Sequence, residues 1–247
     1  PEAQLDRFML RLRLGYPMEA EEEAMLSRFQ TEDPLAYLDP VELPYSQNET
    51  PALTRPNGYT KLEIAIPANL ASAVANVATS NAVVGAFGVL LGRLSRKHEF
   101  DIAFTSSAVA APSTAVEGIY SEYAVLHLGF DLKQTAHKII DEAASQIGAV
   151  NERGVWAKDL IGRTPSLAAI PELVSGSALP LGVSIGVESA IAGTTLTLAV
   201  TEDGTAATVY FDEQRLSDSR AAKFVAQFEA ILNNIVTNVD RPAGELE

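Results

Sequence analysis

The chain has 247 residues, 47% of them apolar and 20% charged, so it is long enough to bury one large core or two modest ones. Its 18 basic and 32 acidic residues give a formal net charge of −14, which argues against binding to nucleic acid or to an anionic membrane. Cys is absent, which is typical of a reducing compartment, so we expect a cytoplasmic protein. No apolar run is long enough to predict a membrane-spanning segment.

The first 43 residues are more densely charged than the rest of the chain. They hold four basic and ten acidic residues, a net charge of −6, and we expect a short, acidic helical segment here. Residues 44–58 carry three prolines and Gly58 among polar residues, which is typical of a linker. The chain is therefore predicted to divide at this linker.

Apolar runs of strand length predict six strands after the linker. We place them, in chain order, at residues 59–66, 101–108, 120–130, 181–188, 194–200 and 206–211. Asp203-Gly204 falls between the last two, where a tight hairpin needs residues that tolerate positive φ. The last third of the chain is thus predicted to contain an antiparallel ribbon.

Four helices are predicted among these strands. One opens at residues 67–70, and a second covers residues 82–94, which are apolar nearly all round and therefore central to the core. Asp131 is expected to cap a third helix that runs to about Val150, and Ser217 to cap the last. The last helix repeats apolar residues at spacings of three and four: Ala221, Phe224, Val225, Phe228, Ile231, Leu232 and Ile235. This order of elements predicts an α+β fold with a mixed sheet covered by helices on one side.

The sequence carries none of the motifs that identify common catalytic or metal sites. Its histidines, His98, His127 and His137, lack the spacing of metal ligands, so we predict no metal site. The glycines of GAFGVLLG lie in an apolar run without the Lys and Ser/Thr of a P-loop. There is no GxSxG elbow, and no Ser has an identifiable His/Asp partner. We therefore assign no catalytic residue and no bound cofactor.

Several segments resemble the C-terminal lobe of nonribosomal peptide synthetase condensation domains, within the chloramphenicol-acetyltransferase-like superfamily. AFGVLLGRLS at residues 86–95, followed by DIAFTSSA, resembles a packing pattern of that lobe. Glu117-Gly118-Ile119-Tyr120 before a β-prone run is similar to its glycine-aromatic motif, and residues 196–232 resemble its closing hairpin and terminal helix. The resemblance covers residues 59–239 and implies a single chloramphenicol-acetyltransferase-like lobe, with residues 240–247 as a tail.

The resemblance also indicates what this chain lacks. The family's HHxxxDG motif, which supplies the active-site histidine, belongs to the N-terminal lobe and has no counterpart here. In a complete domain a tunnel forms between two lobes, and a phosphopantetheine arm borne by a carrier protein enters from each face. By this resemblance, the residues expected to line the tunnel or contact a partner are Tyr120, Glu122, His127 and Trp156. The family's Asn-Thr pair is replaced by Glu122-Tyr123.

A second resemblance concerns residues 1–43. PEAQLDRFMLRLRLGYP followed by an acidic stretch resembles a region of MoxR-type AAA+ ATPases. That resemblance implies a nucleotide-related role for Arg7, whose guanidinium would neutralise a γ-phosphate in a neighbouring subunit. No Walker A, Walker B or sensor 1 segment accompanies it. The alternative is that Leu5, Phe8 and the leucines after them simply pack this segment against the rest of the chain.

Three functions stay open at this point. The first is a lobe that is not catalytic alone and acts as a scaffold or as the half that binds a carrier protein or a complementary lobe. The second is half of a split acyl or peptidyl transferase, completed by another lobe or by another copy of the chain. The third is a recruitment module similar to the X-domains of glycopeptide synthetases. All three imply protein partners, a homo-oligomer among them, and none implies nucleic acid or membrane.

Overall fold

The computed structural model describes residues 39–43, 58–74, 76–115, 119–158 and 179–246. The chain divides into two compact units, Pro1–Ala36 and Tyr37–Glu247. The division falls seven residues before the end of the predicted N-terminal segment, because Val41 and Leu43 are buried in the core of the second unit. Arg7 and most of the predicted linker lie outside the described residues.

The described residues of the second unit form six strands, five α-helices and one 3-10 helix. The strands are β1 (Tyr59–Ile64), β2 (Glu99–Ser106), β3 (Ala124–Gly129), β4 (Leu181–Ile185), β5 (Leu196–Val200) and β6 (Ala207–Asp212). The helices are α1 (Leu70–Ala73), α2 (Thr79–Ser95), α3 (Ser107–Ala115), α4 (Ala136–Arg153), α5 (Asp218–Asn238) and the 3-10 helix Ala243–Glu245. None of these helices is long and apolar enough to cross a bilayer.

The strands form one mixed sheet in the order β1-β6-β5-β4-β2-β3. The central strands β2, β4 and β5 run parallel, and the outer pairs β2-β3, β5-β6 and β1-β6 are antiparallel. The predicted hairpin is confirmed, since Gly204 adopts φ 71° between β5 and β6. The fold is therefore α+β with a mixed sheet, as the order of elements predicted.

Helices α2, α4 and α5 pack on one face of the sheet. Phe87 of α2 makes edge contacts with Phe224 and Phe228 of α5, with ring centroids 6.0 and 5.9 Å apart. A Cβ placed on Gly88 of α2 would lie 3.4 Å from the Leu128 side chain of β3, so the even-numbered residues of β3 face these helices. All seven apolar residues predicted for the last helix are buried in this core.

Most boundaries differ from the prediction by a few residues, and helix α3 is an element that the sequence did not predict. Helix α4 is capped by Thr135, whose Oγ1 accepts from the Lys138 N–H at 3.3 Å, so Asp131 is not its cap. Strand β2 ends at Ser106 and helix α3 follows at once, because the Ser106 hydroxyl accepts the Val109 N–H and caps that helix. The predicted tail is partly ordered against the core, with Ala243 and Leu246 buried.

Candidate functional site

The face of the sheet opposite the helices is polar and largely buried. In register with the odd-numbered residues of β2, it carries Asp101, Thr105, Ser184, Thr197 and Asp212, each at most 5% exposed. Buried hydroxyls and carboxylates need hydrogen-bond partners, so the contacts of these side chains identify what covers this face. We call it the polar face.

The centre of the polar face is covered by residues 186–195. The Ile191 N–H donates to Thr197 Oγ1 at 3.1 Å, and the Tyr59 hydroxyl donates to the Thr194 carbonyl at 2.8 Å. Burial raises the pKa of Tyr59, so this phenol stays a donor at neutral pH. Residues 186–195 are thus a fixed cover over the centre of the polar face, and the β3 end carries an exposed titratable side chain, His127.

At that end His127 faces Asp101 across β3 and β2. His127 Nδ1 lies 3.0 Å from Asp101 Oδ1, with the imidazole 52% exposed and the carboxylate 5% exposed. The hydrogen bond to Asp101 raises the pKa of His127, burial opposes this, and the charges of Asp101, Glu99 and Asp39 add to the increase. The imidazole of His127 is therefore an acid–base group at the surface, and the buried carboxylate of Asp101 orients it and supplies its counter-charge.

Asp101 also fixes the short segment that enters the lobe. Its Oδ2 accepts the Asp39 N–H at 2.7 Å, and its own N–H donates to the Asp39 carbonyl at 2.8 Å. Lys97 Nζ lies 2.5 Å from Asp39 Oδ1 and 3.0 Å from the Pro40 carbonyl. One buried carboxylate thus joins β2, β3 and the segment at Asp39.

Three of the four predicted partner residues come together in a second cluster, formed by residues 119–123 and 155–158, which we call the clasp. Tyr120 forms an antiparallel bridge with Ala157. The Trp156 ring meets the Tyr123 ring edge-on, with centroids 5.5 Å apart.

The charged and apolar surface of the clasp is exposed. Glu122 Oε1 lies 3.2 Å from Lys158 Nζ, and both side chains are in contact with solvent. Ile119 is 52% exposed, the one large apolar side chain so exposed in the part of the chain that the structure describes. His127 lies apart from the clasp, on the polar face, so the structure separates the four candidates into two groups.

A separate cleft of about 660 Å³ opens beside the turn between β3 and α4. It is lined by charged and polar side chains, among them His98, Glu99, Lys133 and Glu142, and by none of the four predicted residues. Within the described ranges, no group of three His, Asp or Glu side chains could hold a metal ion. The cleft has no arrangement of donors that indicates one ligand.

Sequence reasoning selected His127 but missed its partner. Asp101 is the one buried charged residue of strand β2, and a buried carboxylate requires a donor. The sequence alone indicates that Asp101 needs a donor. It does not indicate which one, because His127 lies 26 residues away and comes opposite Asp101 only through the register of β2 and β3. Local patterns do not encode such a register.

No protein family and no curated protein matches the sequence. Solved structures do match. The starter condensation domain of rhizomide synthetase is 13% identical with a TM-score of 0.62, over 92% of this chain and 55% of that one. The X-domain from teicoplanin biosynthesis is 13% identical with a TM-score of 0.62, over 92% and 60%. The EpoB cyclization-docking bidomain from Sorangium cellulosum is 12% identical with a TM-score of 0.63, over 91% and 50%.

These likenesses establish the fold. The chain has the fold of nonribosomal peptide synthetase condensation domains and X-domains, the chloramphenicol-acetyltransferase-like fold expected from the sequence. It spans about half the length of the structures it matches. The resemblance of residues 1–43 to MoxR-type ATPases gains no support from these comparisons.

Proposed function

We propose that this chain is the partner-binding half of a condensation-type unit in nonribosomal peptide biosynthesis, not catalytic alone. The proposal rests on how much of each chain the structural matches cover. They cover more than nine-tenths of this chain but only 50% to 60% of each condensation-type structure. The absence of HHxxxDG from the sequence supports it. In a complete unit the other half would supply the second wall of a tunnel.

The surface we assign to the partner consists of the clasp and the exposed side of His127. The clasp offers Ile119, an exposed apolar side chain, beside the Glu122–Lys158 ion pair, a combination typical of the core and rim of an interface. His127 offers a ring nitrogen that its bond to Asp101 leaves free. We propose a carrier protein or a complementary lobe as the partner, with the phosphopantetheine arm as the carrier of substrate, acting in the cytoplasm.

The test is an amide-forming assay with aminoacyl and peptidyl carrier proteins, read by intact-protein mass spectrometry. The purified chain alone is expected to form no amide above the rate without protein. Robust product from the chain alone would overturn the proposal. Product that appears only after a lobe from a neighbouring reading frame is added would favour the alternative of a split transferase, and the Ile119→Asp variant should then lose it.

A recruitment module is the second candidate, because the X-domain of teicoplanin biosynthesis matches as well as the condensation domains do. That X-domain forms a complex with OxyB. Titration of this chain with purified OxyB, followed by size-exclusion chromatography, separates the two candidates. Co-elution that the Ile119→Asp variant abolishes would favour recruitment over carrier binding.

A further inference from the structure

Strand β3 is an edge of the sheet whose outward backbone groups can be identified. Among the described residues it pairs only with β2. The Phe130 N–H donates to the His98 carbonyl at 2.9 Å, and in an antiparallel pair every second residue directs its N–H and C=O toward the partner. The alternate residues Val125, His127 and Gly129 therefore direct theirs away from β2.

One further hydrogen bond supports this alternation. The Asp101 N–H, opposite His127, turns away from β3 and donates to the Asp39 carbonyl at 2.8 Å. The Ser121 N–H donates to the Trp156 carbonyl at 2.9 Å, so an extended segment of the chain pairs with residues 119–121 just before β3 begins at Ala124.

Strand β1, at the opposite edge of the sheet, is protected against pairing with a further strand. In β1 the outward residues are Tyr59, Lys61 and Glu63, since Asp212 of β6 directs its N–H to β5. Lys61 and Glu63 are exposed charges, and the next outward N–H, that of Ala65, is taken by Glu229 Oε1 at 2.8 Å. Charges and a covering helix are the usual devices against edge pairing.

Strand β3 carries neither a fixed charge nor a proline at this edge, and His127 is its exposed outward residue, between buried Val125 and half-buried Gly129. Its sequence is AVLHLG, without Lys, Pro or an acidic residue, and its six residues pair with β2 without a bulge. We propose that this edge joins two copies of the chain, with the β3 strands antiparallel about a twofold axis at His127.

The choice of a second copy rests on self-complementarity. In this register His127 lies opposite His127 of the second copy, and Val125 lies opposite Gly129 of the second copy. Each outward N–H and C=O then finds a partner. Because each copy carries a net charge of −14, association strengthens as salt screens that repulsion.

The absence of Cys makes a single-cysteine test unusually clean. His127→Cys places two thiols opposite each other, with Cα atoms about 5.5 Å apart, within the range for a disulfide. Val125→Cys is out of register, with its two thiols roughly 14 Å apart along the strands. Lys61→Cys provides the same outward position on the protected edge.

Under mild oxidation and high salt, His127→Cys is expected to form a disulfide-linked dimer at least tenfold faster than Val125→Cys or Lys61→Cys. Equal rates in all three variants would overturn the proposal, and so would the absence of a His127→Cys dimer. Circular dichroism melting of the reduced variants shows whether each one folds.

The wild-type chain provides a second measurement that does not depend on a cysteine variant. Amide exchange at Val125, His127 and Gly129 is expected to slow as protein concentration rises. Val125→Pro, which removes an outward N–H and keeps the ladder to β2, should abolish that dependence, whereas Lys61→Pro should not. Protection that is the same at every concentration would show that the chain covers its own edge. Fast exchange at every concentration would show a free monomer, and either result overturns the proposal.

Discussion

His127 and Asp101 hold each other across two strands, Nδ1 to Oδ1 at 3.0 Å, although one side chain is 52% exposed and the other 5%. The buried carboxylate accepts from Nδ1, so in the neutral ring the proton lies on Nδ1 and Nε2 is an acceptor. The same carboxylate accepts the Asp39 N–H. Asp101 therefore connects the exposed imidazole of His127 with the backbone at Asp39.

The first prediction concerns the titration of His127. Its hydrogen bond to Asp101 holds the pKa of His127 above the ordinary value of 6.5. Asp101→Asn removes the negative charge and keeps a hydrogen-bonding group, so the pKa of His127 should fall. NMR titration of the ring protons measures both values. An unchanged pKa in the variant would show that Asp101 is not its cause.

The raised pKa has a consequence for stability. Because the folded value exceeds the unfolded one, the stabilisation from protonated His127 is fully present below about pH 6.5 and is lost as pH rises through the folded pKa. Urea unfolding of the wild type and of His127→Gln at several pH values should give a difference that shrinks with rising pH. A difference that grows with pH would contradict this account.

The second prediction separates the two kinds of contact in the clasp. Trp156→Ala removes the edge contact with Tyr123 and the packing of a large ring against the core, and should lower the free energy of unfolding by about 2–4 kcal/mol. Glu122→Ala removes only an exposed ion pair with Lys158 and should cost less than about 1 kcal/mol. Urea unfolding monitored by circular dichroism measures both. Equal losses would mean that the ion pair holds the clasp.

The elements that the sequence predicts well are those defined by local periodicity. The last helix repeats its apolar residues at spacings of three and four residues, and these residues are buried in the core. This pattern predicts the helix without any knowledge of the strand order. Asp131 illustrates the limit. It has a side chain suited to capping, yet its carboxylate accepts the Lys133 N–H in a turn, and Thr135 caps the helix four residues later.

The candidate site shows the same limit at longer range. The pairing of His127 with Asp101, and the meeting of residues 119–123 with 155–158, depend on strand order and register. Both arise from contacts between distant segments, and a one-residue shift would turn His127 to the other face of the sheet. The resemblance named Tyr120 and Trp156, which the structure brings together, but nothing in the sequence identified the Asp101 carboxylate as the partner of His127.

The third prediction concerns the hairpin between β5 and β6. Gly204 has φ 71°, and a Cβ there would lie 2.4 Å from the Ser80 nitrogen at the start of α2. Gly204→Ala should therefore lower the free energy of unfolding by at least about 2 kcal/mol, since backbone atoms would have to move. Gly148→Ala is the control, because it lies exposed inside α4 with nothing near its Cβ, and it should stabilise by about 0.5–1 kcal/mol. Thermal melting that ranks the two variants the other way would contradict the prediction.

The fourth prediction concerns what holds residues 186–195 over the polar face. Arg215 is 8% exposed, its Nε lies 3.5 Å from Asp212 Oδ2, and its Nη1 donates to the Gly193 carbonyl at 3.0 Å. Arg215→Ala leaves a buried carboxylate without its counter-charge and the Gly193 carbonyl without its donor, so it should cost about 3 kcal/mol.

Hydrogen exchange should show which residues lose stability in Arg215→Ala. In Arg215→Ala the amides of residues 186–195 should exchange faster than those of the helices, because the cover loses its tie to β6 before the core opens. Lys223→Ala, an exposed cation on α5, is the matched control and should change stability by less than about 0.5 kcal/mol. If both variants exchange alike across these residues, the tie between Arg215 and Gly193 does not hold the cover, and the hydrogen bonds to Thr197 and Tyr59 must be sufficient for it.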